Sequence, residues 1–209
     1  MRNLIVLFVF TITSSVLMAQ EVAMSASEIL VFQKQVKATS QASQTIQSDF
    51  VQYKHLDFLD NDIETFGKLQ FKAPGLVRWE YTKPYQYTVI FKEDKLLIND
   101  GGTKSDIDIG SSKMFKKLNQ LIVNSVKGDM FNDSDFSVSY FKVKGANKAV
   151  FVPKDSKIAG YIASFELMFD AKDGAVTEVK MIEPSLDYTR IAFSNRKLNT
   201  PIDASVFNQ

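Results

Sequence analysis

The residue types that most often do chemistry are scarce in this chain. Histidine occurs once, at His55, and cysteine not at all. A serine nucleophile would have to draw on His55, and no Gly-x-Ser-x-Gly turn is present to hold one. Without cysteine there is no thiolate metal site, thiol nucleophile or disulfide framework, and a single histidine makes zinc a poor fit. The pairs Asp60/Asp62 and Asp133/Asp135 have the spacing of calcium ligands but lack the glycine and terminal glutamate of such a loop, so they read as turns. Gly101-Gly102 is a hairpin turn rather than a phosphate cradle, and Asp106 and Asp108 are solvated charges on one face of a strand. The expectation is a protein that is not an enzyme and has no metal and no cofactor. Lys+Arg is 25 against 24 for Asp+Glu, a balance that argues against nucleic acid as a ligand.

What the chain has in quantity is aromatic residues: 17 Phe, 7 Tyr and 1 Trp. The elements that must position them follow from periodicity. Residues 25–38 have helical spacing, with Ile29, Phe32 and Val36 on one stripe and Ser27 as a cap. From residue 46 the period changes to two, through strands at 46–56, 65–72, 77–81, 87–91 and 95–99. Residues 111–126 return to helical spacing, with Met114, Leu118, Leu121 and Ile122 on one apolar stripe. Five more strands are expected at 136–143, 149–153, 162–170, 176–182 and 188–193, with Asp173-Gly174 as a hairpin turn. Strands joined mostly by hairpins, with two helices beside them, give an α+β protein built on a meandering antiparallel sheet. A sheet of this many strands curves, and its concave side must be covered by helices or by a ligand. Loose cover by two amphipathic helices leaves an apolar cavity able to take acyl chains.

The chain opens with Arg2, an apolar run from Leu4 and a small residue at Ala19, the pattern of a secretory signal peptide over residues 1–19. That run is shorter than the roughly 20 apolar residues that span a bilayer. Arg2 leaves with it, so residues 20–209 form one domain with 24 basic and 24 acidic side chains.

One stretch resembles a known family. Phe50-Val-Gln52, Gly67-Lys-Leu69-Gln-Phe71, Pro74-Gly75 and Arg78-Trp79-Glu-Tyr81-Thr-Lys-Pro84 match the order and spacing of the LolA family of periplasmic lipoprotein carriers. The resemblance implies an incomplete, unclosed antiparallel β-barrel of about ten or eleven strands with a helical lid over its concave face. It implies a monomer in the periplasm that takes acylated lipoproteins from an inner-membrane release transporter to an outer-membrane acceptor. The strand faces and the family together mark Phe50, Leu69, Phe71, Val77, Trp79, Tyr81, Val89 and Phe91 as the lipid-binding wall. Met114, Leu118, Leu121 and Ile122 are then the lid. Familiar members have an arginine before the proline of the turn, where this chain has Ala73, and an aromatic strand where it reads Lys95-Leu96-Leu97-Ile98. Arg78 lies on the face opposite Trp79 and is expected to pair there with Glu80 or a neighbouring strand, the alternative being a contact to the lid or a partner. Three other readings compete with a carrier. An outer-membrane acceptor of this fold is anchored through a cysteine that this chain lacks. A lipid hydrolase would need a nucleophile beside His55. A half-barrel sensor or adaptor would bind protein instead of lipid and would have a dry, packed interior, where a carrier has a cavity of several hundred Å³.

Overall fold

The computed structural model describes residues 21–108 and 135–209. Helix α1 (Ala26–Ala42) begins at Ser25 rather than at Ser27. The reason is the glutamate three residues later: Glu28 N donates to Ser25 Oγ at 3.4 Å and Ser25 N donates to Glu28 Oε2 at 2.8 Å, a reciprocal capping box.

The strands are β1 (Val22–Ala23), β2 (Thr45–His55), β3 (Ile63–Lys72), β4 (Leu76–Lys83), β5 (Tyr87–Lys92), β6 (Lys95–Asp100) and β7 (Thr103–Asp108). They continue with β8 (Phe136–Val143), β9 (Ala146–Pro153), β10 (Ser164–Asp170), β11 (Val176–Ile182) and β12 (Tyr188–Leu198). A single turn of helix, α2 (Ser156–Ala159), joins β9 to β10, and a 3-10 turn (Ala204–Phe207) lies near the C-terminus. All strands belong to one antiparallel sheet ordered β1-β8-β9-β10-β11-β12-β2-β3-β4-β5-β6-β7. Among the described residues β1 and β7 are its two edges, so the barrel is unclosed.

The sheet has twelve strands, against the ten or eleven expected. The two extra strands have little pattern to read. β1 is two residues long, and β7 is exposed at every position, so neither shows apolar alternation. The helix expected at 111–126 lies outside the described residues.

The sheet is strongly curved. β6 and β9 stand eight places apart in the strand order. At about 4.8 Å per strand a flat sheet would separate them by about 38 Å. Yet Leu96 of β6 and Phe151 of β9 line one cavity. Helix α1 lies on the concave side, where Phe32 and Val36 pack with Phe136, Ala149, Leu167 and Phe169 of β8 to β10. The Phe32 and Phe169 rings meet edge to face at 5.0 Å. On the convex side, Ile202 and Phe207 cover Ile90, with Leu76 and Leu97 against them.

Candidate functional site

Opposite the α1 cluster, the concave face of β2 to β5 has a second apolar group: Phe50, Leu69, Phe71 and Val77, with Trp79, Tyr81, Phe91, Ile191 and Phe193 against it. The strand registers put these side chains on one face. Phe50 lies opposite Gly67, Leu69 opposite Trp79, and Phe71 opposite Val77. Gly67 is required here by close approach. A Cβ at this position would lie 2.3 Å from Phe50 Cζ and 2.2 Å from the Glu80 carbonyl oxygen. The Phe50 ring therefore lies across the glycine, tilted against Trp79 at 4.4 Å and edge-on to Tyr81 at 5.4 Å.

Between this group and α1 is a cavity of about 530 Å³, within the range of small-molecule sites. Of the wall residues marked from sequence, Leu69, Trp79, Tyr81, Val89 and Phe91 line it. Phe50, Phe71 and Val77 are fully buried and do not; they form the layer on which that lining rests. The lid residues Met114, Leu118, Leu121 and Ile122 lie outside the described residues. Ala73 packs against the buried layer beneath the lining, and Lys72 points to the convex side, where Nζ donates to the Ile202 carbonyl at 3.3 Å.

Sequence reasoning missed most of the lining. Phe165 and Leu167 of β10, Val179 and Met181 of β11, and Ile191 and Phe193 of β12 come from strands that had been recognised but not assigned to the site. The signal was there, since each pair alternates in its strand. What was not readable was that the curl brings these strands round to face β4 and β5. The lining is mostly apolar; the hydroxyl residues Thr39, Ser40, Ser43 and Ser48 lie at the end that holds Arg196, and Thr189, paired with Met181, is a further hydroxyl residue away from it. Tyr81 sits in the wall with its hydroxyl donating to Gln52 Oε1 at 2.9 Å, and burial raises its pKa.

The groups first considered for chemistry lie away from the cavity. His55 is on the convex face, stacked on Tyr188 at 4.6 Å, with Nδ1 2.8 Å from Asp62 Oδ1. Arg78 pairs with Glu80 at 3.4 Å, as alternation suggested, and also donates to the Val206 carbonyl at 3.1 Å, tying down the C-terminal turn. No group of three His, Cys, Asp or Glu side chains placed to hold a metal occurs among the described residues. Nor is any helix there long and apolar enough to cross a membrane.

The sequence model of the family described as outer membrane lipoprotein carrier protein LolA matches residues 41–209. A protein of Pseudomonas paraeruginosa named outer-membrane lipoprotein carrier protein is 28% identical over 145 residues, covering 69% of this chain and 66% of that protein. One of the same name from Chromobacterium violaceum is 24% identical over 177 residues, covering 83% and 80% respectively. Among solved structures, an uncharacterised conserved protein from Thermus thermophilus superposes with a TM-score of 0.54 at 12% identity, over 89% of this chain and 94% of that one. At that identity the likeness shows the fold alone.

Proposed function

The chain belongs to the LolA family of outer membrane lipoprotein carrier proteins, and we propose that it carries the acyl chains of lipoproteins in its concave cavity, through the periplasm, from inner to outer membrane. The observation that carries this reading is the cavity of about 530 Å³, walled by aromatic and aliphatic side chains from both arms of the curled sheet. A sensor that used the half-barrel only as a scaffold would gain nothing from that space, and an unfilled apolar cavity costs stability. Each methylene moved from water into the cavity contributes about 0.8 kcal/mol, so an acyl chain is held firmly without a covalent bond. The reaction is a transfer between hydrophobic surroundings and needs no catalytic group.

In this reading residues 1–19 are a signal peptide removed on export, and the mature chain acts as a soluble monomer. It accepts cargo from an inner-membrane release transporter and surrenders it to an outer-membrane acceptor. Release requires open and closed states close in energy. With Ala73 where familiar members have arginine, the contact that holds the closed state is made elsewhere in this chain. The test is to purify the protein from its own cell envelope and examine it by native mass spectrometry. Adducts with the mass of acylated lipoprotein or lipid are expected. A bare protein that also takes up no fluorescent fatty acid contradicts the proposal.

A further inference from the structure

We infer that Arg196 makes one end of the cavity a site for a carboxylate, so that the protein also binds free fatty acids, oriented with the acid group at this end. The inference rests on the cavity being an acyl-chain site, as proposed above.

Arg196 is the one formally charged side chain among the described residues that line the cavity. A strict alternation along β12 would not put it there. Thr189, Ile191 and Phe193 face inward, so residue 195 is the next inward position by period. The pairing of β12 with β2 shifts between Ser194, opposite Asp49, and Lys197, opposite Gln47, so that two residues of β12 oppose Ser48. This is a β-bulge, and it turns Arg196 and then Leu198 inward. Asn195 takes the left-handed backbone at φ 53° and is held by a hydrogen bond from its Nδ2 to Asp49 Oδ2 at 2.8 Å. The backbone departs from its ladder here and places a cation in an apolar wall.

The guanidinium is paired but not used up. Among the described residues, Asp173 in the β10–β11 turn accepts from Nη2 of this guanidinium. The remaining N–H groups of a five-donor fork are left for a second acceptor. Thr39, Ser40, Ser43 and Ser48 line the same end. The opposite end, towards Tyr87 and Met181, has no charged lining residue among those described. A ligand matched to this gradient is a long apolar chain with one terminal anion. The thioether-linked diacylglycerol and amide of a lipoprotein anchor have no such charge, so this is a second ligand class.

The only tryptophan, Trp79, lies in the wall and reports occupancy directly. Delipidated protein is titrated with 9,10-dibromostearic acid and separately with its methyl ester, whose bromines quench indole fluorescence. The acid is expected to bind about tenfold more tightly than the ester, as befits one charge-assisted hydrogen-bonded contact. Arg196→Gln lowers the affinity for the acid to that of the same variant for the ester. Asp173→Asn, which keeps the cation and removes its competitor, strengthens binding of the acid alone and covers the case in which Arg196→Gln fails to fold. Equal affinity for acid and ester in the parent protein overturns the inference while leaving the carrier reading intact. Quenching by neither ligand overturns both.

Discussion

Gly67 is the residue on which the cavity floor depends most narrowly. Its missing Cβ is the space that the Phe50 ring occupies, and Phe50 in turn supports Trp79 and Tyr81. Gly67→Ala is expected to destabilise the protein by about 2 kcal/mol, the range of overpacked cores, because backbone at Glu80 blocks one escape and a fully buried ring the other. Urea unfolding of the variant beside its parent measures it, and a change under about 0.5 kcal/mol contradicts the packing described. At this scale the sequence was a good guide wherever alternation is regular. Leu69, Trp79, Tyr81, Val89 and Phe91 follow a strict period of two, and all five line the cavity. Phe50, Phe71 and Val77 share that period but lie one layer deeper, because pattern gives a face and not a depth. Arg196 could not be read at all, since the bulge that turns it inward leaves no mark in the period.

At the scale of elements, α1 depends on how it is tied to the sheet. Its first turn holds Glu28, which closes the capping box and pairs with Lys142 of β8. The bond from Lys142, with those from Ser25, lowers the Glu28 pKa to about 2. A carboxyl whose folded pKa lies below its unfolded value stabilises the fold fully above the unfolded pKa and loses that contribution as pH falls through the folded one. The window here runs from about 4.5 down to about 2. Glu28→Gln should therefore lower the urea midpoint at pH 7 and leave it unchanged near pH 2; an equal loss at both pH values contradicts the ion pair. At its other end α1 meets the β10–β11 turn, where Gln35 donates to the Lys172 carbonyl at 2.7 Å and Thr39 to that of Asp173. Gly174, at φ 69°, lies under the helix, where a Cβ would be 3.2 Å from Val36 N. The Asp-Gly pair was legible as a hairpin turn, but its second duty as the seat of the helix was not, because that contact joins segments more than a hundred residues apart. Likewise β7 was legible only as a strand carrying Asp106 and Asp108, without bounds, because an edge strand exposed at every position has no buried face to impose a pattern.

For the whole molecule, the curl of the sheet makes the site, since residues eight strands apart become neighbours across about 530 Å³. The number of strands read from periodicity already called for a curved sheet with a concave side to cover, and the family motifs added that the curl is an unclosed barrel. The C-terminal segment braces the convex side of the same strands. Phe207 is 1% exposed against Ile90 and Ile202, and Arg78 holds the Val206 carbonyl. Phe207→Ala should cost about 3 kcal/mol in thermal or urea unfolding; a loss below about 1 kcal/mol would show that this brace is dispensable. Occupation of the concave side by acyl chains is tested directly by site-specific photocrosslinking in living cells. A photoreactive residue replaces Val89 in the cavity wall, and another replaces Arg190, whose guanidinium lies over the Tyr53 ring at 4.1 Å and pairs with Glu178. Position 89 is predicted to capture acylated lipoproteins and to lose them when the acylated cysteine of the cargo is replaced, while position 190 captures none. Absence of lipoprotein adducts at position 89, or adducts that persist with unacylated cargo, would contradict the account.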